Sequence, residues 1–206
     1  MINLLCGNHR VVRELKMDNV EILKISTGIK GIREISPHTK AIKWSVLQNS
    51  LAFNEKRNFL ILDIATNTDK WLGTIEIKIL DKPRNHKVLI FSSLEEHVML
   101  LHKMVKERHP DFTVDYMCSN KKSYSDSDIL IGTIPKIGTG FDEKTACKDY
   151  KGKRIDVVIM ASSFKDLALL EQTAGRGLRA DKPYIIHLED DDPTISRHWK
   201  LASKWY

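Results

Sequence analysis

The chain has 206 residues, enough for one sizeable domain or a domain with a smaller appendage. Its 42% hydrophobic and 29% charged content excludes a disordered or collagen-like chain, and no apolar run reaches the roughly 18 residues of a membrane-spanning helix. Of the net charge of +6, most lies early, because residues 1–84 hold 14 Lys/Arg against 9 Asp/Glu. That bias permits a polyanionic partner and fits a solvated, lysine-rich surface equally well.

The opening MINLLCGNHR lacks the basic and apolar regions of a signal peptide. Cys6, Cys118 and Cys147 are odd in number and widely spaced, which argues against a disulfide scaffold or zinc ribbon. They read as small apolar residues in a reducing, intracellular compartment, cytoplasm or nucleus. In chain order, 11–15 (VVREL) and 20–25 (VEILKI) are β-prone runs joined as a hairpin. A helical pattern runs from about 39 to 65 with a break near Asn54, and the turn-rich stretch around TIEIKIL reads as a linker with one strand.

After Pro83 the pattern becomes regular. Residues 87–92 (KVLIFS), 112–117, 128–133, 154–162 and 182–188 are strand runs, of which 87–92, 128–133 and 154–162 are apolar enough to be buried. Residues 93–110 form an amphipathic helix with Ser93 as N-cap, Glu96 closing a capping box and Pro110 as its stop. Helices also follow at 163–176 and from Pro193, the latter capped by Asp192. Strands alternating with helices predict an α/β fold with a parallel sheet covered on both faces. The division expected is a β-rich extension over 1–40, a main domain over 41–192 and a C-terminal helix over 193–206.

Two segments carry chemistry. In LLEQTAGRGLRADKP (169–183), helical spacing puts Gln172, Gly175, Arg176 and Arg179 on one stripe. Two planar guanidiniums beside a glycine can grip a phosphate, or they can belong to a solvated surface helix that frays at Gly177. In ILIGTIPKIGTGFDE (129–143), a buried strand opens into a loop with Thr133, Gly138, Thr139, Gly140 and Asp142. Its backbone N–H groups can face phosphate, whereas a dinucleotide fingerprint would need a third glycine that is missing. Elsewhere, Ser92 and Ser93 suit either a phosphate contact or helix capping, and Lys121 and Lys122 sit in a polar loop. His97 and His102 lack metal-pair spacing, the acid run 189–192 reads as capping and solvated before Mg²⁺-binding, and Trp199 and Trp205 read as packing residues.

Gln-x-x-Gly-Arg-x-x-Arg at 172–179 resembles motif VI of superfamily 2 helicases and translocases, with every signature position filled. The Gly140-Phe141-Asp142 loop resembles motif V, although its Thr-to-Gly spacing is one residue longer and Thr139 replaces the usual charged residue. KVLIFSS resembles motif IV. Together these are similar to helicases of large DNA viruses, which adds a virion to the possible compartments. The resemblance implies a RecA-like fold and the second of two motor domains. Arg176 and Arg179 would then be arginine fingers on ATP with Gln172 orienting the site. Gly140, Asp142 and Gly175 would lie near the nucleotide, while Thr133, Ser92, Ser93, Lys121 and Lys122 would lie near a DNA or RNA backbone.

No Gly-x-x-x-x-Gly-Lys-[Ser/Thr] loop and no Asp-Glu-x-His or Asp-Glu-x-Asp motif occurs, so ATP and Mg²⁺ would be bound mainly by an N-terminal RecA-like domain outside this sequence. The chain is expected to be the truncated second half of a motor, inactive alone as an ATPase. The alternatives are a stand-alone RecA-like binding or regulatory module and a nucleotide-cofactor enzyme.

Overall fold

A computed structural model describes residues 20–73, 86–138, 141–166, 169–171 and 179–205. Six strands form one sheet: β1 (Glu21–Ser26), β2 (Val88–Ser92), β3 (Val114–Met117), β4 (Ile129–Thr133), β5 (Val157–Met160) and β6 (Tyr184–Glu189). Their order is β1-β6-β5-β2-β4-β3, and every neighbouring pair is parallel. The chain therefore has the α/β architecture with a parallel sheet that its alternating pattern predicts.

Strand pleating decides which residue enters which core. Val88 and Ile90 of β2, Ile129 and Ile131 of β4, and Val157 and Ile159 of β5 face one layer. Leu89 and Phe91, Leu130, and Val158 and Met160 face the other. All residues of β2, β4 and β5 are buried, which accounts for their unbroken apolar sequence. The first layer is covered by α2 (Glu55–Thr66) and α4 (Glu95–Arg108) through Ile61, Leu62, Val98, Leu101 and Val105. The second is covered by α5 (Ile134–Ile137), by Phe141, Phe164 and Leu170, and by Ala202 of α7 (Pro193–Trp205). A smaller cluster joins α1 (Trp44–Ala52) to α7 through Leu47, Leu51 and Ile195. Gly132 makes room for α5: a Cβ there would stand 2.0 Å from Ile137 Cδ1.

Several expectations change. The strand expected at 20–25 is one of the sheet's two edge strands, bonded in parallel to β6, while residues 11–15 of the proposed hairpin lie outside the described residues. The long helical pattern breaks at Phe53 and Asn54 as expected, because the Asn54 side chain caps α2 by accepting from Arg57 N at 3.0 Å. The start of the expected linker is instead a short helix, α3 (Thr68–Leu72), ended by Gly73 at φ 67°; residues 74–85, where its strand was expected, lie outside the described residues. Ser93 is not an N-cap: α4 begins one residue later, after Leu94, and has no side-chain cap. Its neighbour Ser92 takes the Leu94 amide at 3.2 Å instead. Asp192 does cap α7, accepting from Thr194 N at 2.7 Å.

In the acid run Asp191 is solvated as expected, whereas its neighbours are held by partners. Asp190 is 2% exposed and accepts from Arg57 Nε at 2.8 Å and Thr27 Oγ1 at 2.7 Å. Arg57 is equally buried, and its Nη2 donates to Ala161 O at 2.9 Å. Asp192 pairs with Arg33 at 2.9 Å and Glu189 with Lys24 at 2.7 Å. Trp199 packs as expected, with its ring 4.9 Å from that of His187. Cys118 and Cys147 are buried free thiols, which burial pushes above the ordinary value, and Cys6 lies outside the described residues.

His97 sits where α4 meets α2, its ring between Ser92 Oγ and Asn58 Oδ1, each at 2.9 Å. Burial, with help from the Arg57 charge, holds its pKa down to about 3, and burial holds His187 at about 4. His86 is the counterweight: hydrogen-bonded to Asp156 and facing Asp69, its pKa is raised.

Arg57→Ala leaves Asp190 buried without its cation, and the unfolding free energy from urea titration is expected to fall by about 3–5 kcal/mol. A loss within the scatter of surface substitutions would show the pair to be incidental. For His97 the folded pKa lies below the unfolded one, so between about pH 6.5 and 3 only the unfolded chain holds the proton. Its contribution therefore falls with pH, by up to about 1.4 kcal/mol per unit below 6.5. His86 has the opposite sign, stabilising at low pH and losing that contribution as pH rises through its folded value. Urea midpoints at several pH values should fall from neutrality toward pH 5, and His97→Gln should flatten that slope. An unchanged slope in the variant would remove His97 from the account.

Candidate functional site

A parallel sheet delivers the C-terminal ends of all its strands to one edge. Here that edge carries Ser92 at the end of β2 and Ser93 after it, Thr133 at the end of β4, Ser162 and Ser163 after β5, and Asp190 after β6. The serines form a network. Ser93 N donates to Ser162 Oγ at 2.9 Å, the two hydroxyls stand 3.1 Å apart, and Gln48 Nε2 donates to Ser93 Oγ at 3.0 Å. Ser163 Oγ lies 2.8 Å from His198 Nδ1.

The sequence-predicted contacts separate here. Ser92 is fully buried, with its hydroxyl turned inward onto His97 rather than toward the cleft. Ser93 stays half-buried beside Ser162 at the rim of a cleft. Thr133 is 3% exposed. Lys121 is paired to Asp115 and lies 3.9 Å from the centre of the Tyr116 ring, whereas Lys122 is exposed. A lysine held by a carboxylate is a weaker phosphate donor than a free one, which favours Lys122 of the two.

A second constellation joins the two motif segments. Asp142 caps the short helix α6 (Glu143–Ala146), accepting from Lys144 N at 2.9 Å. That hydrogen bond, with Arg179 and Arg154 nearby, keeps its carboxyl below the ordinary range. Phe141 fixes the loop by stacking on the buried Tyr124, ring centres 5.9 Å apart. Arg179, five residues ahead of β6, brings its Nη1 to 3.6 Å from Asp142 Oδ1. Arg154 approaches the same oxygen at 3.8 Å and reaches 4.0 Å from Glu143 Oε1. One carboxylate thus faces two guanidiniums, neither in close hydrogen-bond contact, while the Arg179 side chain stays 36% exposed. The remaining candidates, Gly140, Gln172, Gly175 and Arg176, lie outside the described residues, as do Thr139 and Gly177.

The sequence reading missed Arg154, Glu143 and the Arg57–Asp190 pair. Arg57 had a signal, since it sits one turn before Ile61 on the buried stripe of α2, where an arginine needs a partner. Glu143 is 1% exposed, accepts from Ile155 N at 3.1 Å, and has its carboxyl pushed up by burial. Nothing in its spacing distinguishes it from a solvated helix-start glutamate. Among the described residues no cluster of three or more His, Cys, Asp or Glu side chains has metal-site geometry, and no helix is long and apolar enough to cross a membrane.

No protein-family model matches the chain. Over 206 residues it is 26% identical to "Putative helicase 161L" of Invertebrate iridescent virus 6, covering 97% of this chain and 44% of that protein. The chain thus spans less than half the length of its relative. Among solved structures, T4 UvsW superposes with a TM-score of 0.55 at 15% identity, over 86% of this chain and 34% of that one. A DEAD box protein from Methanococcus jannaschii superposes at 0.51 and 13% identity, over 98% of this chain and 45% of that one. Sequence and fold agree: the chain is similar in sequence to a putative viral helicase, and it shares the RecA-like α/β fold with T4 UvsW and the DEAD box protein.

Proposed function

We propose that the chain is the second motor domain of an ATP-dependent nucleic-acid helicase or translocase, and that it supplies arginines to ATP held by a preceding RecA-like domain. The observation that carries this reading is the approach of Arg179 to Asp142, at 3.6 Å. It joins the last arginine of Gln-x-x-Gly-Arg-x-x-Arg to the carboxylate of Gly-x-Asp, although 36 residues separate them in the chain. A planar guanidinium that is partly exposed and oriented by a carboxylate is suited to bidentate donation to phosphate.

ATP, when bound, supplies the transferring phosphoryl group, and its Mg²⁺ neutralises charge on the phosphates. Arg179 and Arg176 would donate to those phosphates with Gln172 beside them, and Asp142, Gly140 and Gly175 would face the nucleotide. Ser93 and Lys122 would contact the strand. Asp142 would draw Arg179 toward the site without locking it, and Arg154 shares the same carboxylate. The absence of a phosphate-cradling loop from the sequence supports the division of labour, and the isolated chain should turn over no ATP. The buried, unpaired thiols Cys118 and Cys147 suit a reducing, intracellular setting.

In the full-length protein, Arg179→Ala is expected to lower ATP turnover by about 10³-fold or more while leaving ATP affinity within a few-fold. Single-turnover hydrolysis and nucleotide titration would measure the two separately. Undiminished turnover would sink the arginine assignment.

A further inference from the structure

Strands β2 and β5 are neighbours, yet they send the chain to opposite faces of the sheet. β2 leads into α4, whose Val98, Leu101 and Val105 cover the first layer. β5 leads into the segment whose Phe164 and Leu170 cover the second. Where adjacent strands diverge in this way, a crevice opens outside their C-terminal ends, and open α/β sheets bind ligands there. In this chain the crevice is a pocket of about 510 Å³, closed at the sides by α1 and α7, and of a size that holds a small organic ligand.

Its lining is specific. Trp44, Phe164 and Leu201 give apolar walls, and Trp44 is held by His198, their ring centres 5.2 Å apart. Gln48, Ser93 and Ser163 bring hydrogen-bonding groups to it. Lys165 and Arg197 stand exposed on its rim, and burial, followed by their charges, depresses the His198 pKa. The rim carboxylate Asp166 is turned to the Leu169 amide at 3.4 Å. Flat aromatic walls, a few polar groups and a cationic rim match a planar heterocycle joined to phosphate.

We propose that this pocket takes one unstacked base of a single-stranded nucleic acid, the ring against Trp44 and Phe164 and the adjoining phosphates on Lys165 and Arg197. This deepens the motor reading and rests on it, because it adds a base-gripping site to a strand otherwise held by its backbone. A free nucleotide shares the chemistry, and a strand differs by presenting phosphates on both sides of the base.

The test is fluorescence-anisotropy binding of the 206-residue chain to a thymidine oligonucleotide and to a fully abasic strand with the same phosphates. The wild type is expected to bind the thymidine strand about tenfold more tightly than the abasic one. Trp44→Leu should bind both strands equally weakly, and Arg197→Glu should weaken both in proportion. Leu201→Trp, which fills the cavity without removing Trp44, is the second variant should Trp44→Leu fail to fold, and it too should erase the preference. Equal wild-type binding of the two strands would overturn the pocket and leave the motor reading standing. Binding of neither strand would likewise overturn the pocket, while the motor reading stands or falls on the Arg179→Ala turnover. Displacement by thymidine monophosphate at the strand's own affinity would reassign the pocket to free nucleotide and overturn the strand proposal.

Discussion

The pair between Arg57 and Asp190 organises the functional edge of this domain. Both groups are nearly inaccessible, and a lone charge at either position would be strongly unfavourable in that environment. Each end of the pair is bound further: Arg57 to the carbonyl of Ala161 after β5, Asp190 to the hydroxyl of Thr27 after β1. Helix α2 and the exits of three strands are thereby fixed together at one point. The serine network of Ser93 and Ser162 lies beside it, so the loops that would meet a strand or a ligand start from a rigid base. Solvent exclusion makes the contact directional: each partner has few alternatives, and loop exits that moved independently would break it.

Asp142 shows a different use of charge. Its carboxylate is set by backbone, through the cap on α6 and the Phe141 ring stacked on Tyr124, rather than by a salt bridge. The arginines gather around it at distances of 3.6 and 3.8 Å. Attraction at that range in a partly solvated setting is modest and leaves a guanidinium free to exchange partners. The contrast with Arg57 is chemical sense: the structural arginine is buried and saturated, whereas the one assigned to the nucleotide is exposed and loosely held.

The same division runs through the serines. Ser92 is consumed by His97 and by the start of α4, while Ser93, one residue later, faces the cleft. Strand pleating produces that difference, because successive side chains leave a strand on opposite sides. A serine pair in sequence is therefore one structural residue and one available residue, and which is which depends on the register of β2.

Much of the architecture was legible in the chain. The apolar runs of β2, β4 and β5 have to be buried on both faces, and strands buried on both faces between helices form a parallel sheet. The break at Asn54 and the cap at Asp192 follow from side chains that compete for helix-end amides. The spacing of Gln172, Gly175, Arg176 and Arg179 offered a candidate phosphate-binding stripe, of which Arg179 lies among the described residues. Tertiary structure alone decided that Arg179 reaches Asp142, that the acid run is anchored by Arg57, Arg33 and Lys24, that Ser93 is no cap, and that a pocket opens between β2 and β5. The reason is range. Periodicity and capping act within a few residues and leave their mark in local sequence, whereas ion-pair partners and cavities depend on which distant strands become neighbours.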